Sequence, residues 1–300
     1  MSGIHSICLL GLGEVGGRLA SHLESLDGLH LRAWDRLFTD PESKPSQVLQ
    51  QHHHLDAAVS ASTAASNCQL VISAVTAEQN LAAAQSVLPA LQAGAWFLDV
   101  NSVSPQTRRN VAAEVEAAGG RYLEAAILSP IDPLGIASPI LLGGPHAEEF
   151  LPLAAELGFS GARFCSSVIG KAAATKLCRS VVVKGMEALL TESLLAARHY
   201  GVENEVITSL ENLMPIPDWP ERARYMISRS LLHGERRAEE MREAAHTVRE
   251  SGTEPLMSTA CAERQAWAAQ FSAALTEQTL VPMLDAIRRD AHKPEKGNSA

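Results

Sequence analysis

The first half of the chain alternates short apolar runs with longer segments in which apolar residues recur at helical spacing. The apolar runs predict strands and the periodic segments predict helices. The predicted strands are residues 7–10, 29–34, 69–75, 95–100, 121–128 and 139–142. The predicted helices of this half are residues 17–26, 78–91, 105–118 and 145–157. Strands that alternate with helices indicate a parallel sheet with helices on both faces.

The pattern changes after about residue 166, where the predicted strands end. Residues 169–199 contain no proline and keep a helical spacing of apolar residues, which predicts one helix of about 45 Å. Further helices are predicted at residues 203–213, 219–232, 235–250, 255–267 and 271–289. We therefore expect an α/β domain with a doubly wound, mostly parallel sheet of the Rossmann type over 1–166, joined by a long interdomain helix to an all-α domain over 167–300. The polar residues 291–300 are expected to be disordered.

A glycine-rich turn separates the first strand from the first helix. Residues 11–16 read GLGEVG and are followed by a helix, a second strand and Asp35. In such a turn, Gly11 permits a sharp bend, Gly13 lets N–H groups approach a pyrophosphate, and Gly16 lets helix and strand pack closely. The sequence predicts a dinucleotide site at the helix N-terminus, where N–H groups favour phosphate.

The residues that follow the second strand bear on the choice of cofactor. A carboxylate at Asp35 is expected to bind both ribose hydroxyls and to repel a 2′-phosphate, which favours NAD over NADP. Arg36 leaves NADP open, because a guanidinium could hold that phosphate. The cofactor-binding candidates comprise a turn and four further residues: Gly11, Leu12, Gly13, Glu14, Val15, Gly16, Asp35, Arg36, Val75 and Asn101.

Composition narrows the class of partner. The net charge of −9 argues against nucleic acid, which requires a basic face. No apolar stretch is long enough to cross a bilayer, and five scattered cysteines without CxxC spacing are typical of a reduced, cytoplasmic protein. The run at residues 52–54, three histidines, has no Cys or acidic cluster to complete a metal site, so no metal is predicted.

Three segments together resemble the β-hydroxyacid dehydrogenase superfamily, which includes 3-hydroxyisobutyrate and 6-phosphogluconate dehydrogenases. Residues 11–16 resemble its cofactor motif, and residues 99–105 (DVNSVSP) resemble its strand-end segment near nicotinamide and substrate. Residues 170–178 (GKAAATKLC) resemble the GxGxxxK motif that opens the interdomain helix, with Lys176 at the catalytic lysine. The resemblance implies a nicotinamide cofactor and a homodimer built on the helical domain.

The chain departs from that family at three places. The segment that usually reads DxPVSGG is here residues 124–130 (EAAILSP), the second glycine of the lysine motif is Ala172, and the usual asparagine is Ser180. The variants KLCRS at 176–180 and HGERR at 233–237 resemble a poorly characterised phosphogluconate-dehydrogenase-like subgroup. Because of these departures, the resemblance does not identify the substrate, although it still implies hydride chemistry.

The candidate catalytic residues are Lys176 and Ser180. Together with Lys184 they are spaced by four residues and so share one helix face. Lys176 is expected to exchange a proton with the substrate hydroxyl, and Ser180 to hold the same oxygen. Lys184 is expected to be structural.

Substrate contacts are expected from residues near the strand ends and from basic residues of the helical half. A serine in the strand-end segment has an alternative role as part of a helix N-cap. Arginines can bind an anionic substrate through two hydrogen bonds, or can form ordinary surface pairs. The substrate-binding candidates are Ser102, Ser129, Arg179 and Arg236, with His233 and Arg237 as further basic residues of the same half.

The leading hypothesis is an NAD(P)-dependent oxidoreductase that acts on a small anionic hydroxy acid or its keto form. An imine reductase is the alternative among enzymes, since that group shares the two-domain plan but typically replaces the lysine. A non-catalytic NAD(P)-binding sensor is a third reading, which the retained Lys176 disfavours.

Overall fold

The structure is a computed structural model that describes residues 3–291. The chain divides into two compact units, Met1–Leu177 and Cys178–Ala300. The predicted disorder of 291–300 concerns residues outside the described part, apart from Ala291, which ends a helix.

The first unit is built on one sheet of eight strands in the order β3-β2-β1-β4-β5-β6-β7-β8. The strands are β1 (Ser6–Leu10), β2 (His30–Trp34), β3 (Leu55–Ala57), β4 (Leu70–Ser73), β5 (Trp96–Asp99), β6 (Arg121–Ile127), β7 (Ile140–Gly143) and β8 (Ala162–Ser166). All neighbours pair in parallel except β6 and β7, which are antiparallel. The fold class predicted from the sequence is confirmed. The predicted domain boundary after residue 166 falls at the end of β8, ahead of the division between the two units.

The inner strands β1, β4, β5, β6 and β7 are buried on both faces, which explains why they appear in the sequence as unbroken apolar runs. In β1, Ile7 and Leu9 belong to one hydrophobic cluster, while Cys8 and Leu10 belong to the other. Burial and the nearby Cys68 raise the pKa of the Cys8 thiol well above its usual value, so this side chain serves as a core residue.

Helices of the first unit cover the two faces. They are α1 (Glu14–Leu23), α2 (Lys44–Leu49), α3 (Ala61–Ala65), α4 (Asn80–Val87), α5 (Pro105–Ala117) and α6 (Ala147–Glu156). The long helix α7 (Lys171–Tyr200) begins in this unit, close to the predicted span of 169–199. The order of strands reverses between β1 and β4, and in open α/β sheets such a point is where ligands bind at the carboxyl ends of the strands.

The second unit is helical. It contains the rest of α7, α8 (Glu203–Leu213), α9 (Trp219–Glu250), α10 (Leu256–Ala269) and α11 (Leu280–Ala291). Its core is aliphatic around one fully buried indole, that of Trp219, whose Nε1 donates to the Met214 carbonyl at 2.9 Å. The core of the second unit is therefore built mainly from leucine, isoleucine, methionine and alanine, in keeping with the low aromatic content of the chain.

The region 219–250 is one helix interrupted at His233, where the backbone leaves helical geometry (φ −125°, ψ 16°). The sequence predicts two helices, 219–232 and 235–250, and the kink lies between them. The next residue is Gly234, where a Cβ atom would overlap the main-chain carbonyl of Gln265 on α10. The HGERR segment thus brings α9 and α10 into close contact.

One expectation from periodicity is wrong, and two strands were not predicted. Residues 271–289 do not form a single helix, because Ser272–Thr276 is a 3₁₀ turn and α11 begins only at Leu280. The short edge strands β3 and β8 are absent from the sequence-based plan. Three of the five residues of β8 are only partly buried and two are exposed, so its composition lacks the apolar run of an inner strand.

Candidate active site

The glycine turn between β1 and α1 has the geometry expected of a phosphate cradle. Gly11 has φ +85° and lies against the Ala74 carbonyl, and a Cβ on Gly16 would overlap the Gly11 carbonyl. A Cβ on Gly13 would meet no described atom within 4 Å, so this position faces open space. Among the described residues, no side chain caps α1 at Gly13. The turn and the helix start fit a pyrophosphate bound to main-chain N–H groups.

Asp35 lies directly after β2 and is tied to this turn. Its Oδ2 accepts from the Leu12 N–H at 2.9 Å, and its Oδ1 accepts from the Leu37 N–H at 2.9 Å. Each carboxylate oxygen has a further lone pair, so the group can hold the turn and still accept from a ribose hydroxyl. Arg36 is exposed beside it.

The ends of β4 and β5 are linked through Asn101. Its Oδ1 accepts from the Val75 N–H at 2.6 Å, and its Nδ2 donates to Ser73 Oγ at 2.9 Å and to Asp99 Oδ1 at 2.7 Å. The side chain is 3% exposed. Asn101 therefore fixes two neighbouring strand ends to each other. Val75 lies beside the glycine turn, since a Cβ atom on Gly11 would be 3.0 Å from its side chain.

Lys176 lies close to the strand-end segment. From the second turn of α7, its Nζ donates to Ser102 Oγ at 2.5 Å, and the lysine side chain is half-buried. Both residues belong to the first unit. An amine that donates to a hydroxyl near the carboxyl ends of parallel strands can exchange a proton with an oxygen bound there.

A buried ionic network lies beneath this segment. Asp99, at the end of β5, pairs with Arg108 of α5 at 2.7 Å and accepts from Tyr122 and Asn80, each at 2.9 Å. Each of these four side chains is at most 1% exposed. Burial and the Asp99 charge raise the pKa of Tyr122 well above its usual value. Burial alone would lower the pKa of Arg108, but the charge of Asp99 and of nearby acidic groups raises it, so the guanidinium is charged.

Arg108 also anchors main chain. Its guanidinium donates to the carbonyls of Asp99 at 2.6 Å, of Asn101, and of Ala125 at 3.3 Å. These carbonyls belong to β5, to the segment carrying Ser102, and to β6. The buried cation therefore holds the strand ends that present the candidate site.

The remaining predicted residues are not brought to this group by a described contact. Ser129 donates to the neighbouring Pro130 carbonyl at 3.0 Å. In the second unit, Ser180 accepts from Lys184 Nζ at 3.0 Å, Arg179 is exposed, and Arg236 lies 3.9 Å from Glu240. The catalytic role of Ser180 and the substrate roles of Ser129, Arg179 and Arg236 stay predictions.

Arg237 belongs to the core rather than to the surface. It is buried and paired with Glu187 of α7, so the alternative of an ordinary surface pair is wrong for this residue. Burial raises the pKa of Glu187, with Arg237 opposing that effect.

The sequence reasoning missed Asp99, Arg108 and Glu124 as site-forming residues. Each is fully or almost fully buried, at 0%, 1% and 0% exposure. For Asp99 and Glu124, the sequence did offer a signal, because each is an acidic residue inside an apolar strand. An acidic side chain is almost never fully buried unless it has partners, so such a position indicates a buried polar contact.

Comparisons with known proteins match both units. Residues 6–133 match the NAD binding domain of 6-phosphogluconate dehydrogenase, and residues 197–268 match a domain of unknown function (DUF1932). A conserved hypothetical protein from Sinorhizobium meliloti 1021 is 30% identical, with a TM-score of 0.75 over 96% of this chain and 97% of that chain. No curated protein matches the chain.

Two further solved structures are similar. A conserved protein of unknown function, described as structurally similar to 3-hydroxyacid dehydrogenases, is 29% identical with a TM-score of 0.69 over 88% of this chain and 97% of that chain. The Mycobacterium tuberculosis 3-hydroxyisobutyrate dehydrogenase is 19% identical with a TM-score of 0.71 over 95% of this chain and 99% of that chain, which shows a shared fold.

The fold and the glycine turn define a two-domain protein whose first unit is an NAD(P)-binding Rossmann domain. The chain belongs to the same family as the Sinorhizobium meliloti protein, and it combines an NAD-binding domain of the 6-phosphogluconate dehydrogenase type with the domain of unknown function that follows it. The resemblance in the sequence is thereby confirmed. Within residues 3–291, no helix is both long and apolar enough to span a bilayer.

Proposed function

We propose that the protein is an NAD(P)-dependent oxidoreductase acting on a small anionic hydroxy acid or its keto form. The observation that carries the proposal is the 2.5 Å contact of Lys176 Nζ with Ser102 Oγ, at the carboxyl ends of the strands of a dinucleotide-binding domain. The proposed general acid/base is Lys176, and Ser102 directs its amine.

The proton route follows from these two side chains. During oxidation, the substrate hydroxyl gives its proton to the uncharged amine of Lys176 as its C–O bond becomes a carbonyl. During reduction, the ammonium of Lys176 returns that proton to the carbonyl oxygen. The nicotinamide, when bound, supplies or accepts the hydride. The ordinary pKa of a lysine is about 10.4, so most lysines are protonated at neutral pH. A lysine that acts as a base must be partly uncharged there.

The test replaces Lys176 after a panel of hydroxy and keto acids has identified a substrate by the absorbance of the reduced nicotinamide. Lys176→Ala is expected to reduce turnover by about 10²- to 10⁴-fold, the usual contribution of a positioned proton-transfer group. Lys176→Arg should not restore it, because a guanidinium stays protonated. Cofactor affinity should be nearly unchanged, because the phosphates are held at residues 11–16.

Lys184→Ala is the matched control on the same helix. Lys184 pairs with Glu240 at 2.6 Å and lies two turns beyond Lys176, so its loss should reduce turnover far less. Circular dichroism confirms that each variant is folded. Near wild-type turnover in folded Lys176→Ala would falsify the proposed role.

We also infer a preference for NAD over NADP. The Asp35 carboxylate is fixed beside the turn by the Leu12 and Leu37 N–H groups, so a 2′-phosphate there would meet a negative charge. Calorimetric titration with both cofactors should give a lower Kd for NAD(H). Tighter binding of NADP(H) would mean that Arg36 governs the pocket.

A homodimer through residues from about 170 onward is the proposed assembly. Among the described residues, the second unit exposes large apolar side chains, and they support an interface where they share one helix face, because contiguous exposed apolar surface is typical of interfaces. They are Val182, Leu189, Tyr200, Val202, Leu213, Tyr225, Leu232, Leu256 and Met257.

Light scattering at micromolar concentration tests this assembly. Val182 and Leu189 are 62% and 57% exposed and lie seven residues apart on one face of α7. Changing both to Glu should convert a dimer into a monomer, whereas Val59→Glu, at a position that is 92% exposed in the first unit, should not. A monomeric wild-type protein would refute the assembly.

A further inference from the structure

Glu124 is a carboxylate in the middle of a fully buried strand segment. It lies in β6 and is 0% exposed. Its Oε1 accepts from the N–H groups of Gly170 at 2.9 Å and Ala172 at 3.0 Å, and its Oε2 accepts from that of Ala173 at 3.4 Å. Three main-chain donors at the start of α7 thus converge on one buried side chain.

The start of α7 lacks the usual local cap. A helix leaves its first four N–H groups without intrahelical partners, and the side chain just before the helix normally accepts from one of them. Here that residue is Gly170, which has no side chain. Its φ of +96° disfavours any other residue, and a Cβ atom at this position would lie 3.0 Å from the Pro105 side chain. Glu124, 46 positions earlier, supplies the cap instead.

Strand β7 provides the space for this carboxylate. A Cβ atom at Gly143 would overlap Oε1 of Glu124, so only glycine at this position admits the side chain in its present place. A negative charge at a helix N-terminus is also favoured by the helix dipole. The position of the carboxylate is therefore fixed from both sides.

The cap is linked to Lys176 through one turn of helix. Ala172 and Ala173 precede Lys176 by four and three residues, so the capped N–H groups and the lysine lie on adjoining turns of one helix face. Any shift of the first turn moves the lysine relative to Ser102, which is held by β5.

We propose that Glu124 is a positioning residue, which caps α7 from β6 and thereby holds Lys176 against Ser102. The activity arm of this inference rests on the proposed function. The structural arm does not rest on it, because it measures the position of Lys176 and not turnover. Glu124, the first turn of α7 and Ser102 all belong to one compact unit.

The structural arm needs no substrate. Lysines are reductively methylated with ¹³C-formaldehyde, and the dimethyl signal of Lys176 is assigned by its loss in Lys176→Arg. We expect this signal to shift in Glu124→Gln, which keeps one acceptor oxygen, and to shift further in Glu124→Ala. The amides of Ala172 and Ala173 should exchange with solvent roughly tenfold faster, the effect of losing a helix cap.

Two variants separate positioning from general stability. Glu187→Gln also removes a buried carboxylate, but from Arg237 in the second unit, so it should change stability and leave the Lys176 signal in place. Gly143→Ala keeps the Glu124 carboxylate and occupies its space, so it should move the signal as Glu124→Gln does. A Lys176 signal that coincides with wild type in folded Glu124→Gln and Gly143→Ala overturns the proposal.

The activity arm measures kcat, KM and cofactor Kd of Glu124→Gln. We expect kcat to fall by about 10- to 100-fold, as a misplaced catalytic group does, with cofactor Kd unchanged. If the signal moves and Lys176→Ala retains turnover, the positioning role stands and the proposed function fails. A displaced signal with unchanged kcat in Glu124→Gln overturns the claim that the held position serves catalysis.

Discussion

The two units both bury charged side chains, but they attach them to different partners. In the first unit, Arg108 donates to three main-chain carbonyls and Glu124 accepts from three main-chain N–H groups. In the second unit, the buried Arg237 pairs with the Glu187 side chain, and Lys184 pairs with Glu240. The first arrangement fixes strand ends and a helix start, whereas the second joins α7 to α9 through side chains.

The difference has a consequence for substitution. An apolar side chain can replace a partner that only satisfies another side chain, provided that both partners are replaced together. It cannot replace a guanidinium that satisfies several buried carbonyls, because these carbonyls keep their need for donors. The comparison therefore predicts different responses to similar mutations in the two units.

The largest effect is expected from Arg108→Ala in the first unit. It leaves the Asp99 carboxylate buried without its cation and removes donors from the Asn101 and Ala125 carbonyls. Breaking a buried pair in this way costs about 3–5 kcal/mol of the free energy of unfolding. Urea denaturation followed by circular dichroism measures it, and a loss below about 1 kcal/mol would contradict the anchoring role.

A smaller effect is expected from a double substitution in the second unit. Arg237→Met alone should be strongly destabilising, because it leaves the Glu187 carboxylate buried and unpaired. Adding Glu187→Leu should restore the stability to within about 1 kcal/mol of wild type, as apolar replacement of buried pairs often does. The corresponding pair Asp99→Asn and Arg108→Met should not recover. If the stability of both double variants recovered, or that of neither, the two units would not differ in the way proposed.

The smallest effect concerns pH. Burial raises the pKa of Glu187 above its usual value of 4.5, so the folded state binds this proton more readily than the unfolded state. The charged carboxylate therefore costs stability at neutral pH, and this cost disappears as the pH falls toward 4.5. The Tm of wild type should rise relative to that of Glu187→Gln over this range. A Tm difference independent of pH would argue against the raised pKa.

Much of the fold could be predicted from local pattern. The inner strands are buried on both faces and so appear as apolar runs, and the glycine turn with Asp35 marks the first strand, helix and strand. The three-residue β3 and the part-exposed β8 lack such runs. The turn at Ser272–Thr276 interrupts an apolar periodicity that continues through it, so spacing alone predicted a helix there.

The candidate site could be predicted only in part for a similar reason. Lys176 and Ser102 stand in segments that resemble a family, and the structure brings them together. Glu124 and Arg108 act on main chain far along the sequence, and no local spacing encodes a contact between β6 and the start of α7. The roles of Ser129, Ser180, Arg179 and Arg236 remain predictions.

Gly143 has a meaning for the evolution of this chain. The Glu124 carboxylate occupies the space that a side chain at position 143 would need, so the residues at these two positions are expected to vary together. A relative with a shorter residue at position 124 is free to carry alanine or serine at position 143, and it then needs a local cap at position 170. Joint variation at positions 124, 143 and 170 would sort the members of this family by the way in which their lysine helix begins.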